Sequence, residues 1–71
     1  MQYYVTIRNN QGGVSLALGP FPSYHDAFSR APAVKGFCDN TYGEDAKGWL
    51  YGIDAKMAGP YPPGKLNDCM Q

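Results

Sequence analysis

Polar and apolar positions alternate from Tyr3 to Arg8: Tyr3, Val5 and Ile7 fall on one side of an extended chain, Tyr4, Thr6 and Arg8 on the other. Successive strand side chains point to opposite faces, so this period predicts a strand with one face buried. Asn9-Asn10-Gln11-Gly12-Gly13 follows, and its asparagines and glycines tolerate the positive φ that a tight antiparallel connection needs. Val14, Leu16 and Leu18 then alternate with Ser15, Ala17 and Gly19. A second strand of a hairpin is predicted, laying its aliphatic residues beside those of the first. Gly19-Pro20-Phe21-Pro22 should end it, because each proline removes a backbone donor and fixes φ.

Ser23 is placed to cap the free amides of a helix, with Asp26 three positions on adding negative charge at the positive end of the helix dipole. Tyr24, Ala27, Phe28, Ala31, Val34 and Cys38 recur at spacings of three and four, which predicts one apolar stripe on a helix from about Tyr24 to Asp39, turned onto the sheet. Pro32 lies inside that window. It would clash with the carbonyl four residues back and delete a hydrogen bond, so a kink or two short helices meeting near Ala31-Pro32 are expected. Asn40-Thr41-Tyr42-Gly43-Glu44-Asp45 is polar and contains a glycine, and reads as the loop leaving the helix.

From Gly48 to Met57 alternation returns, with Trp49, Tyr51, Ile53, Ala55 and Met57 on one side and Leu50, Gly52, Asp54 and Lys56 on the other. Gly52 removes a side chain mid-strand, which suggests a bulge or a close approach to the backbone. The expected architecture is α+β, a small antiparallel sheet under one helical layer in the order ββαβ, covering residues 1–57. Residues 58–71 contain Gly59-Pro60-Tyr61-Pro62-Pro63-Gly64 and cannot continue a regular element. They are expected to form a proline-rich C-terminal arm, packed on the domain or extending from it.

Composition narrows the picture. The chain has 71 residues, enough for one modest core, and its 44% hydrophobic and 17% charged content is that of a folding domain. Six basic and six acidic residues cancel, which withholds the positive potential that draws proteins to nucleic acid or anionic membranes. No apolar run approaches the roughly 18 to 20 residues of a membrane span, and Met1-Gln2-Tyr3-Tyr4 lacks the order of a signal peptide. A cytoplasmic protein that does not engage membranes is expected. The two cysteines, Cys38 and Cys69, are too few for a disulfide-stapled scaffold and are expected as free thiols; a bridge would need their Cα atoms within about 7 Å.

Candidate chemistry is sparse. The single histidine, His25, excludes sites that need two imidazoles, and its place in the first helical turn makes it a surface residue. Pairing it with Cys38 as a nucleophile would require the helix to break sharply, since thirteen residues at about 1.5 Å rise hold the two apart. Glu44, Asp45 and Asp54 match no calcium-loop spacing, and no glycine-rich phosphate cradle is present. Neither a cofactor nor catalysis is expected.

The aromatic residues are the most informative feature: six tyrosines, three phenylalanines and one tryptophan. Trp49, Phe28 and Phe37 are expected in the core. Tyr4 on the outer side of its strand, Tyr42 in a loop and Tyr61 in the arm should reach solvent, where tyrosine and arginine commonly anchor protein interfaces. A non-enzymatic protein-binding module using Tyr4, Arg8, Tyr42, Tyr61 and Lys65 follows, acting as a monomer or as a homodimer through an edge strand such as Tyr3 to Arg8. The alternative is single-stranded nucleic-acid binding, with sheet aromatics stacking bases and Arg8, Lys35, Lys47, Lys56 and Lys65 on phosphates; zero net charge disfavours it.

Gly19-Pro20-Phe21 with the helix after it, Ala46-Lys47-Gly48-Trp49-Leu50-Tyr51-Gly52-Ile53-Asp54-Ala55-Lys56, and Pro62-Pro63-Gly64-Lys65-Leu66-Asn67 resemble small proteins encoded in tailed-phage genomes. The likeness spans about two thirds of the chain and departs from their pattern at Ile53-Asp54. It implies an accessory or host-takeover factor that binds a bacterial host protein, inhibiting or recruiting it.

Overall fold

Residues 1–57 and 61–70 are described by the computed structural model of the chain. Ala58-Gly59-Pro60, the start of the expected arm, and Gln71 lie outside the described residues. The element order is β1 (Gln2–Arg8), β2 (Val14–Phe21), α1 (Tyr24–Tyr42), a 3-10 turn (Gly43–Ala46) and β3 (Leu50–Lys56). The strands form one antiparallel sheet in the order β2-β1-β3. This is the expected α+β domain with one helical layer.

β1 occupies the centre because its alternation serves two neighbours. Val5 and Ile7 pair with Ile53 and Tyr51 of β3 on the helix side, while Tyr4, Thr6 and Arg8 face Asp54, Gly52 and Leu50 on the outer side. A homodimer through Tyr3–Arg8 is therefore ruled out: both edges of that strand are already hydrogen-bonded inside the chain. The pairing of β1 with β3 runs without a register break, so Gly52 marks no bulge. A side chain there would meet only Thr6 Oγ1, at an ordinary 3.5 Å.

The irregularity falls on β2 instead. Val5 pairs with Leu18 and Thr6 with Leu16, and Tyr3 pairs with Phe21, so β2 carries extra residues at two points. A bulge of this kind lets two consecutive residues oppose one. Ala17 and Leu18 accordingly both join the core, while Val14 and Leu16 sit opposite Arg8 and Thr6 on the outer face. The expected Val14-Leu16-Leu18 alternation is broken for this reason. Nor do the prolines end the strand: β2 continues through a cis Gly19–Pro20 peptide to Phe21. The hairpin loop is as expected, with Gly12 at φ +85° and the Asn9 side chain accepting from the Gln11 and Gly13 amides.

Ser23 caps α1 by accepting from the Asp26 amide at 3.1 Å. The helix then runs 19 residues through Pro32 to Tyr42 as one element. Only the carbonyl of Phe28 loses its partner to Pro32, and Ala27, Val34 and Cys38, all fully buried, anchor the helix on both sides of that gap. Burial of such apolar groups contributes about 1.5–3 kcal/mol for a Val-sized side chain, comparable to the roughly 3 kcal/mol a helical proline costs. The helix consequently absorbs most of the expected loop. Gly43, at φ +55°, stops it by donating its amide to the Asp39 carbonyl, and the 3-10 turn buries Ala46.

Candidate functional site

The C-terminal arm decides which side chains are free. Its Gly64, Lys65 and Leu66 amides donate to the carbonyls of Gly19, Leu16 and Ala17 at 3.1, 2.9 and 2.7 Å, so the arm covers the outer edge of β2. Asn67 completes the seam: its side-chain oxygen accepts from the Gly19 amide at 2.9 Å and its nitrogen donates to the Gly19 carbonyl. Gly64 lies against backbone, where an added Cβ would be 2.6 Å from Leu18 N, Leu18 Cα and the Ala17 carbonyl. Leu66 is buried beneath the arm in the core.

Tyr4 lies on the outer side of β1 as its register requires, but it does not reach solvent. It is 0% exposed, its hydroxyl donates to the Pro62 carbonyl at 3.0 Å, and Gly19 packs against its ring. Tyr4 cannot anchor a partner, because the arm has already covered it. No other ring stands on the outer side of the three strands, which also closes off the expected base-stacking platform.

The remaining predicted residues divide into separate places. Arg8 is exposed at the hairpin end of the outer face, beside exposed Val14 and Leu50. Tyr61 is half-exposed with the Lys56 ammonium 5.9 Å from its ring centre. Tyr42 and Lys65 come together: both line a hollow with Trp49 at its wall, and the Tyr42 and Trp49 rings are tilted at 50° with centres 5.4 Å apart.

The largest free aromatic surface is on α1. Tyr24 and Phe28, 54% and 57% exposed, stack at 5.9 Å and 20°, and Tyr3 meets Tyr24 edge-on at 6.3 Å. Phe28 was expected in the core and is not there. At roughly 100° per residue, Ala27, Val34 and Cys38 fall within about 40° of one another, whereas Phe28 is turned about 100° from Ala27. That angular offset was the signal in the sequence. Trp49 and Phe37 are packed against the core as expected. From Phe28 an apolar groove of about 270 Å³ runs past Ala31, Pro32 and the stem of Lys35 to Tyr51 of β3. Lys35 is held by Asp39 at 2.8 Å. Among the described residues the edge of β3 remote from β1 has no strand partner, and the groove opens beside that edge.

Neither cysteine is bridged: Cys38 is buried and Cys69 exposed. Burial pushes the Cys38 thiol up in pKa, the nearby Tyr51 hydroxyl pulls it partly back, and the Asp39 charge adds to the rise. The Tyr51 hydroxyl oxygen is buried, with no partner of full hydrogen-bond geometry among the described residues; a thiol is a weak one in any case. Burial foremost, then the neighbouring thiol and Asp39, push its pKa from the ordinary 10 up to about 12. An unfolded chain would release that proton near pH 10 while the folded one keeps it to about 12, so stability is present below pH 10 and declines across this window. Alkaline titration followed by tyrosine absorbance should show one phenol ionising near pH 12. An aromatic disulfide reagent at neutral pH should label Cys69 at once and Cys38 only on unfolding; two fast thiols would contradict the packing.

His25 is exposed at the start of α1, far from buried Cys38. No group of three or more His, Cys, Asp or Glu side chains gathers among the described residues, and no described helix is long and apolar enough to cross a membrane. No protein-family model, curated protein or solved structure matches the chain.

Proposed function

We propose that this chain is a non-catalytic binding domain whose partner is another protein, engaged by the flank where α1 meets the open edge of β3. The observation that carries this reading is the stacked Tyr24–Phe28 pair, more than half exposed, leading into an apolar groove beside a strand edge. Exposed aromatics of this size are the usual anchors of interfaces, and an unpaired strand edge offers backbone hydrogen bonds to an extended segment. The described part of the arm covers the β2 edge, and among the described residues β3 has no partner on its outer edge, which supports β3 as the receptive edge. The resemblance to tailed-phage proteins supports a bacterial host protein as the partner.

Capture from bacterial lysate with the tagged chain, followed by mass spectrometry, supplies the partner, whose affinity is then measured with purified protein. Phe28→Ala should weaken it about 30-fold, the scale of an interfacial aromatic anchor, and Tyr24→Ala should act in the same direction. Arg8→Ala, on the opposite face, should leave it unchanged. Since Phe28 is exposed, circular dichroism should show the variant folded. Full affinity in both aromatic variants would refute the reading.

A further inference from the structure

We propose that the hollow walled by Tyr42 and Trp49 is a binding site for a carboxylate that carries one ring-sized apolar group. Its volume is about 170 Å³, close to the ~150 Å³ apolar cavity that accepts benzene. Ile7, Ala17 and Leu66 give it an apolar floor, and the two tilted rings give it a wall.

The polar groups that line it point to an anion. Besides the Tyr42 hydroxyl and the Trp49 indole N–H of the two rings, they are Asn9, Ser15 and Lys65, with no aspartate or glutamate in the lining. The Asn9 side-chain oxygen is occupied by the amides of Gln11 and Gly13, which leaves its NH2 group to donate. Lys65 has no carboxylate partner among the described residues, in contrast to Lys35 and Lys56. A carboxylate accepts from all three groups, whereas a cation would be repelled by Lys65 and a neutral hydrocarbon would leave all three unused. The negative end of the α1 dipole lies nearby, since α1 ends at Tyr42; the Gly43 amide satisfies its Asp39 carbonyl, and Lys65 supplies the charge that draws the anion. A site of this size holds one small acid or the last side chain of a peptide ending in a free carboxylate.

Trp49 is the only tryptophan, so its fluorescence reports binding at this wall, and the Lys65→Met variant and the Asn9 resonances separate this hollow from the one that Trp49 shares with Lys35, Lys47 and Tyr51. The full chain is titrated with phenylacetate, with N-acetylglycyl-phenylalanine, and with neutral phenylacetamide. Saturable change is expected with at least one acid at a Kd of about 1 mM or tighter, at least tenfold weaker for the amide, and weakened by salt. Lys65→Met, an exposed substitution, should cost at least tenfold, and the Asn9 side-chain NH2 resonances should shift on binding in the unmodified chain. Tighter binding of phenylacetate assigns the site to free acids, and tighter binding of the peptide assigns it to chain ends. The proposal is overturned if neither acid saturates, if the amide binds as well as the acid, or if Lys65→Met retains full affinity.

Discussion

Alanine at Gly64 is expected to unseat the C-terminal arm and to destabilise the domain by about 3–5 kcal/mol. The added Cβ would fall 2.6 Å from three backbone atoms of Ala17 and Leu18. Those atoms belong to a strand paired with β1, so the arm is the part that moves. With it go three backbone hydrogen bonds to β2, at a net of about 0.5–1.5 kcal/mol each. The burial of Leu66, about 1.5–3 kcal/mol, goes as well; ordering entropy regained by the freed arm offsets part of the sum. A domain of this length holds roughly 4–10 kcal/mol in total at ~0.05–0.15 kcal/mol per residue, so the variant stands near the threshold of folding. Denaturant unfolding gives the loss, and hydrogen exchange locates it: the Gly64, Lys65 and Leu66 amides should lose protection before those of β1. A variant as stable as the parent, with these amides still protected, would mean that the arm is not seated as described.

The arm also shows where reading from the chain reached its limit. Two strands, the helix start at Ser23 and the β3 faces follow from local patterns, because period and capping act over a few residues. What Pro62-Pro63-Gly64-Lys65-Leu66-Asn67 packs against is not local: the Asn67 side chain meets Gly19 across 48 positions, and no periodicity encodes such a contact. Tyr4 illustrates the consequence. Its side of the sheet was legible from alternation, but its exposure depended on whether a distant proline-rich segment would return. The β2 bulges are of the same kind, since the first extra residue moves the side chains beyond it to the other face and the second moves them back. Pro32 erred in the other direction, as packing on either side of it outweighed a local penalty. Tyr42 and Lys65, from separate segments of the chain, line one hollow; Phe28 falls outside the narrow arc of the buried trio Ala27, Val34 and Cys38.

Tyr4 should therefore behave as a core residue and not as a contact residue. Tyr4→Ala removes the largest fully buried side chain and should cost about 3–5 kcal/mol, the range for truncating a buried aromatic. The loss includes support for Gly19, whose φ of +141° and 2.8 Å Cβ distance to the Tyr4 ring fit only a glycine there. Tyr4→Phe isolates the hydroxyl. It keeps the ring and deletes the hydrogen bond to the Pro62 carbonyl, at a cost of about 1 kcal/mol. That bond exists only while the arm is down, so the two sites must couple: Tyr4→Phe should cost nothing measurable once Gly64→Ala has lifted the arm. A double-mutant cycle by denaturant unfolding measures this as a non-additivity of about 1 kcal/mol. Additive losses would show that the hydroxyl stabilises the sheet by itself, and that Pro62 does not hold the arm through Tyr4.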